Sequence, residues 1–392
     1  MSTIECDVLV VGGGPAGCSA ARTVAMKGLK TILIEEDEEI GYPVQCAEGI
    51  GSYLFEFMPF EIPKEQLIWK FNGILFWADD ILIKKTGSYW EGFSVDRQKF
   101  DKWLSKLAIK NDTELLTNTK LIDLELDEEN YVKKAIVKRN EKLVEILPKV
   151  VIAADGVESS VLKLLGLYNP KEGDLAEVYS WEMKNLDLFE PHFEQIYAGS
   201  FTPSGYAYIF PKSKDIANIG IGGLFPEKKL EDYYNEFLEV NRVKKQIKNA
   251  EFVIEKSKKA VWNDFSNKWI HGNVFLVGDA ANQNLKPFIE GILPSVICGD
   301  IVGKISFDFI TKKNVDHEYY LNKVKKTFGM HFSISKEMQE GIGYLFATKS
   351  KKKHLQFFGI VTELLKADEI ETTENMDYNE LKSKLMGIKN GM

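Results

Sequence analysis

The sequence predicts an α/β chain in which a βαβ unit opens a domain interleaved with an antiparallel sheet, and helices close the chain. Three observations predict it. Residues 6–11 (Cys-Asp-Val-Leu-Val-Val) and 30–35 (Lys-Thr-Ile-Leu-Ile-Glu) are apolar runs of the buried parallel-strand kind. They flank a glycine cluster and an Ala-rich helical stretch that runs to Lys27. Residues 175–262 alternate apolar and polar in several runs, and the spacing from about residue 290 onward is mainly helical.

Residues 41–63 carry Gly41, Pro43, Gly49, Gly51, Pro59 and Pro63 and read as loop. Residues 67–92 read as short aromatic strands. A helix is expected over Arg97 to Lys110, because Phe100, Trp103, Leu104 and Leu107 share one face. Strands are expected near 113–117, 121–126, 131–138 and 149–154. The alternating region should form an antiparallel sheet with one helix near 228–247, and residues 274–278 a further buried strand. The resulting division is discontinuous. A nucleotide-binding domain takes 1–65, 93–165 and 265–315; a substrate sheet domain takes 66–92 and 166–264; a helical region takes 316–392.

A chain of 392 residues suits two or three domains. Its 44% apolar and 28% charged residues are ordinary for a globular protein, and 12% aromatics suit a large apolar cavity. A net charge of −8 and only four arginines argue against nucleic acid as a partner. Cys6, Cys18, Cys46 and Cys298 form no CxxC pair, so no metal site is expected, and a reducing, cytoplasmic compartment is. No basic residue precedes Arg22, unlike a signal peptide, and no apolar run is long enough for a spanning helix.

The sharpest motif is Gly12-x-Gly14-x-x-Gly17, between strand and helix, with Glu35 ending the next strand 18 residues after Gly17. The first glycine allows a tight turn, the second lets backbone approach a pyrophosphate, and the third lets helix pack on strand. Ala16 lies in the helix N-terminal turn, whose free N–H groups attract phosphate. Glu35 is placed to accept from ribose hydroxyls. These features point to a Rossmann-type dinucleotide site.

Residues 273–281, Asn-Val-Phe-Leu-Val-Gly-Asp-Ala-Ala, resemble the second FAD fingerprint of the glutathione-reductase-type flavoproteins. The resemblance implies that Gly278 and Asp279 hold the ribityl chain. Residues 150–156, Val-Val-Ile-Ala-Ala-Asp-Gly, resemble the Asp-Gly motif of the p-hydroxybenzoate hydroxylase subgroup; Asp155 could equally cap a turn or helix. Three fingerprints in order imply FAD.

The loop Gly41-x-Pro43-Val44-Gln45-Cys46-Ala47-Glu48-Gly49 resembles the Cys-(Gly/Ala)-Glu-Gly loop of the archaeal geranylgeranyl reductase family. Arg97-Gln98-Lys99-Phe100-Asp101 is similar to that family's Arg-x-x-Phe-Asp motif. Residues 203–211 are similar to its Pro-x-Gly-Tyr-x-Trp-x-Phe-Pro motif, with Tyr208 in place of Trp. The resemblance covers about residues 5–300. It implies a flavoenzyme that saturates isolated C=C bonds of polyprenyl chains on ether lipids or diphosphates. It also implies FAD contacts at Ala16, Glu35, Cys46, Ala47, Gly49, Arg97, Leu121, Asp279, Gly291 and Ile292. One departure is visible. The stretch Lys286-Pro287-Phe288-Ile289-Glu290-Gly291-Ile292 is one residue shorter than the family's glycine-rich loop and lacks a glycine. Ile289 is expected to restrict the flavin approach, and Pro294 to shorten the start of the next helix.

An alkene reduction needs a hydride and a proton. Cys46 and Glu48 are the candidates for the proton network, although Cys46 could simply be a small apolar residue shaping its loop. Tyr206, Tyr208 and Phe210 share one strand face, and with Pro211 form a candidate wall for the prenyl chain or a plain sheet core. The run Lys349-Ser350-Lys351-Lys352-Lys353-His354 precedes an apolar stretch, 355–361. It suits a peripheral contact at the inner membrane surface, or a solvated turn. The external electron donor could be ferredoxin, NAD(P)H or a deazaflavin. Two other readings share the fold: an FAD monooxygenase or halogenase, and a flavin-binding protein without catalysis.

Overall fold

The computed structural model describes residues 2–346, apart from 79–80, 200, 203–204, 225, 265–267 and 313, together with 369–372. The chain opens with β1 (Ser2–Val11), α1 (Pro15–Met26) and β2 (Thr31–Ile34). An excursion follows, comprising β3 (Gly49–Gly51), β4 (Trp69–Phe71), β5 (Gly73–Ala78), β6 (Ile81–Thr86) and β7 (Gly92–Ser94). It returns through α2 (Arg97–Lys110), β8 (Thr113–Leu116), β9 (Thr119–Leu126), β10 (Val132–Arg139), β11 (Lys142–Ala153) and α3 (Ser160–Leu164). Next come β12 (Leu175–Lys184), β13 (Phe193–Ala198), β14 (Gly205–Pro211), β15 (Ile216–Gly223), α4 (Leu230–Leu238), α5 (Asn241–Gln246) and β16 (Glu251–Val261). Last are β17 (Ile270–His271), β18 (Val274–Leu276), α6 (Ile292–Lys312), α7 (His317–Phe346) and β19 (Glu369–Thr372).

The first sheet runs β17-β18-β11-β1-β2-β8, with β9 and β10 branching from β11. β18, β11, β1, β2 and β8 are mutually parallel. Val8 to Val11 and Thr31 to Ile34 are buried on both faces, as a sheet covered on two sides requires. Val8 and Val10 pack toward α1, α2 and α6, whereas Leu9 and Val11 pack toward β9 and β10. The second sheet runs β16-β12-β15-β14-β13-β5-β6-β19, and a small third sheet runs β3-β7-β4.

The α1–α6 seam fixes the first domain. A Cβ on Gly299 would lie 2.4 Å from the Ala16 carbonyl oxygen, and one on Gly303 would lie 2.8 Å from Thr23 Cβ. Only bare backbone fits there. Ser19 Oγ donates to the Val296 carbonyl at 2.6 Å and Thr23 Oγ1 to Asp300 Oδ1 at 2.7 Å, so the seam buries no unpaired hydroxyl.

The α/β class is as expected, and five local expectations need correction. β11 begins at Lys142, not near 149, because its first half is an amphipathic hairpin arm paired with β10 and only its end is a doubly covered apolar run. The second sheet is not wholly antiparallel: β13 pairs parallel with β5, which arrives from the early excursion rather than through a hairpin. The expected helix at 228–247 is two, α4 and α5, divided at Glu239 and Val240. Pro294 does not shorten α6. It sits in the first turn, where a missing N–H loses no helical bond. The C-terminal region is not all helix, since β19 pairs with β6. The lysine cluster at 349–353 and the stretch 355–361 lie outside the described residues. No helix among the described residues is long and apolar enough to cross a membrane.

The seam generates a stability prediction. Gly299→Leu is expected to cost about 1–3 kcal/mol or more through overpacking, read as a lower urea midpoint. An unchanged midpoint would show slack between α1 and α6.

Candidate functional site

One cavity of about 480 Å³, within the range of small-molecule sites, lies between the second sheet, the glycine loop at β3 and the 285–292 loop, and Pro15 and Asp279 reach it from the ends of the first sheet's strands. Its edge is built by the α1 turn. Gly12 has φ +101, and a Cβ there would meet the Ala154 carbonyl oxygen at 2.5 Å. A Cβ on Gly17 would lie 1.9 Å from the Gly12 oxygen. At Gly14 nothing lies within 4 Å of the Cβ position, and α1 begins there without a side-chain cap. Open space therefore meets uncapped helix N–H groups, which fits the pyrophosphate of FAD. Glu35 Oε2 accepts from Gly13 N at 2.7 Å and Oε1 from Asp37 N at 3.1 Å, so this acid also braces the glycine turn.

The loop ahead of β3 is held by one carboxylate. Glu48 Oε2 accepts from Lys212 Nζ at 2.6 Å, Lys256 Nζ at 3.1 Å and Asn218 Nδ2 at 2.9 Å. Its Oε1 accepts from Arg97 N at the start of α2, at 2.9 Å. Lys256 also donates to the Cys46 carbonyl, and Asn218 Nδ2 to the Ala47 carbonyl. Burial alone would push the Glu48 carboxyl up, but the Lys256 and Lys212 charges outweigh it and hold it at about 2. Glu48 is thus an anion at neutral pH. In the expected proton network with Cys46 its place is therefore that of a hydrogen-bonded anion rather than of a donor, with both oxygens engaged.

The cavity brings together Cys46, Ala47, Glu48, Gly49, Arg97, Asp279, Gly291 and Ile292 with Tyr206, Tyr208 and Phe210. Gly12, Gly14, Ala16, Gly17 and Glu35 form the adjoining turn, where Pro15 reaches the cavity. Gly278 takes φ +67 at the end of β18 and turns the chain into Asp279. Leu121 is expected to meet the cofactor through its backbone; its side chain is buried on β9 in the core beneath β1 and β2, two residues after Thr119, whose N–H donates to the Glu35 carbonyl. Pro211 does not line the cavity, because alternation turns it from the Phe210 face. Arg97 lines the cavity, but Nε and one terminal nitrogen are bound to Asp101 at 2.9 and 2.7 Å. Cys46 Sγ accepts from Glu48 N at 3.3 Å. Asp155 accepts from Ser159 Oγ and Val161 N, the capping alternative.

The aromatic wall is continuous: ring centroids lie 6.2 Å apart for Tyr206–Tyr208 and 4.8 Å for Tyr208–Phe210. Tyr206 Oη donates to the Phe288 carbonyl at 2.9 Å. The short 286–292 loop turns at Ile289, which takes φ +55 where a β-branched side chain is strained. A bridge between Leu285 and Glu290 closes it.

Sequence reasoning missed Glu194, Glu290 and Lys286, all lining the cavity. Glu290 accepts from Gly51 N at 2.9 Å and Tyr53 Oη at 2.6 Å. Lys286 Nζ donates to Asn282 Oδ1 and Asn284 Oδ1, and burial lowers its ammonium to about 7. The available signal for Glu194 was an acid in the apolar row of a wholly buried strand. Glu290 stands in the Glu-Gly-Ile end at 290–292, the part of the loop that matches the resembled family's, whereas Lys286 gave no signal. Among the described residues no cluster of three or more His, Cys, Asp or Glu could hold a metal ion.

Residues 5–285 match the family model described as FAD binding domain. The chain is 34% identical to the digeranylgeranylglycerophospholipid reductase of Methanococcus aeolicus, over 83% of each chain. Its structure is similar to that of a geranylgeranyl bacteriochlorophyll reductase-like protein from Thermoplasma acidophilum, with TM-score 0.79 and 24% identity over 98% of this chain and 96% of the other. A flavin-dependent halogenase is more distant, at TM-score 0.69 and 16% identity over 99% and 78%.

Two predictions rest on this geometry. Glu48→Gln leaves Lys256, 2% exposed, without its anion, and is expected to cost about 3–5 kcal/mol in urea unfolding. Because the folded carboxyl titrates at about 2 against an ordinary 4.5, its stabilisation is present above the unfolded value. It is lost as pH falls through that window. The variant should lack this part of the acid sensitivity; equal sensitivity would remove Glu48 as its source. Ile289→Gly should relieve the left-handed strain and raise stability by about 1 kcal/mol, read as a higher melting temperature; no rise would mean the strain is offset.

Proposed function

Because the chain belongs to the FAD binding domain family and, within it, to the digeranylgeranylglycerophospholipid reductases, we propose that it saturates isolated C=C bonds of geranylgeranyl chains. Its substrates would be ether lipids of the archaeal type or their precursors. The supporting observation is one cavity that sets the aromatic row of Tyr206, Tyr208 and Phe210 against the glycine loop. A Cβ on Gly49 would lie 3.7 Å from Phe210 Cδ2. An apolar ring surface beside bare backbone suits a planar cofactor edge facing a hydrocarbon.

Bound FAD, once reduced, supplies the hydride. The protein supplies the rest. Gly12, Gly14, Ala16 and Gly17 offer the phosphate turn, with Glu35 set for the ribose. Cys46, Ala47, Gly49, Asp279, Gly291 and Ile292, which line the cavity, would hold the remainder of the cofactor, with Gly278 turning the chain into Asp279. Arg97 adds positive charge while Asp101 fixes its plane. Leu121 would meet the cofactor through its backbone, and Pro211, outside the cavity, would only support the aromatic row. The Tyr206 hydroxyl is satisfied by Phe288, so the rings can present carbon faces to the chain and exclude water. The electron donor would be an external protein, nicotinamide or deazaflavin, and the enzyme would meet its lipid at the membrane surface.

The test is anaerobic. Purified protein with bound FAD is bleached by dithionite, and a digeranylgeranylglyceryl phosphate ether is added. The expected result is return of the flavin bands as the lipid gains two hydrogens per double bond. A flavin that reduces and then reoxidises only with oxygen, leaving the lipid unchanged, would overturn the reading in favour of an oxygenase.

A further inference from the structure

We propose that Glu194 is the proton donor of this alkene reduction, an assignment that rests on the prenyl-reductase reading above. β13 is buried along its whole length, and Glu194, 7% exposed, lines the cavity on the same face as Ile196. Its Oε1 has no hydrogen-bond partner. A Cβ on Gly49 would lie 2.4 Å from that oxygen, so the carboxyl stands directly against the loop opposite the aromatic wall.

The other acids of the cavity are engaged. Glu48 is held by two lysines, and Glu290 accepts from Gly51 N and Tyr53 Oη. Asp279 accepts from Asn284 Nδ2, and Glu91 pairs with Lys70. An ionised carboxylate buried with an unpartnered oxygen is costly. A neutral acid avoids that cost and carries an O–H donor. Burial, reinforced by the charge of Glu290, pushes the Glu194 carboxyl up to about 8. The ionisable groups around it are Glu290 and Tyr206, the paired Glu48 on the facing loop, and Lys85, two strands along in the same cross-strand row.

The step balances. Reduced FAD, where bound, would supply the hydride to one alkene carbon and give up two electrons. The other carbon takes the proton as the Glu194 O–H bond breaks and a C–H bond forms. The carboxylate left behind regains a proton from solvent before the next turnover.

The test compares wild type with Glu194→Gln, which keeps the shape but carries no acidic proton. With dithionite-reduced, FAD-loaded protein and the same ether lipid, flavin reoxidation should slow by about 10²–10⁴-fold, with half-saturation little changed. The wild-type rate should fall as pH rises through about 8, and this limb should be absent in the variant. A second readout needs no turnover. The infrared difference between the two proteins should show a protonated-carboxyl C=O band at neutral pH that disappears with the same midpoint. A variant as fast as wild type, or no such band, overturns the assignment of Glu194 alone. A wild-type protein that binds and reduces FAD yet never changes the lipid overturns the function reading, and this assignment with it.

Discussion

The Glu48 carboxylate is the constraint on which the site depends. It lies on the excursion from the first domain, and its partners lie on α2, on β15 and β16, and at Lys212 just beyond β14. One buried anion therefore sets the height of the glycine loop, the entry angle of α2 and the distance between the sheets. Such a group is favourable only when fully paired. The second domain meets that condition: Lys212 shares its charge with Glu182, and Lys256 also bonds Asn218 Oδ1. Any movement of β15 and β16 away from the glycine loop would strand a charge away from water. The glycine loop and the second sheet are thus tied by electrostatics, while separate apolar clusters pack on the first sheet and on the second.

Much of the first domain was legible in the sequence because its signals are local. The turn of Gly12, Gly14 and Gly17 is dictated by contacts within a few residues and one neighbouring strand. The end of β18 before Asp279 is a short apolar run with a glycine at positive φ, equally local. The aromatic face of β14 followed from simple alternation. All of these are features a single strand or turn carries by itself.

What could not be read depends on distant partners. Glu48 looks like a candidate acid until Lys212 and Lys256 arrive from elsewhere in the chain. Its pairing turned an expected proton carrier into a fixed anion. Glu194 looks like an ordinary strand acid until burial leaves it with an unpartnered oxygen. The parallel step between β5 and β13 joins residues more than a hundred positions apart, which no periodicity encodes.

The seam between α1 and α6 has a consequence for the order in which the protein can be assembled. Ser19 and Thr23 find their partners 277 residues later in the chain. At a synthesis rate of about 5–20 residues per second, the covering face of α1 is missing for roughly 15–55 s after α1 leaves the ribosome. During that interval Glu35 and Ala154, which brace the phosphate turn, are made first, and Gly278, Asp279, Gly291 and Ile292 follow. The nucleotide pocket is completed only once Gly291 and Ile292 have been made, so cofactor uptake follows synthesis of the strands of both large sheets up to β18 rather than guiding early folding.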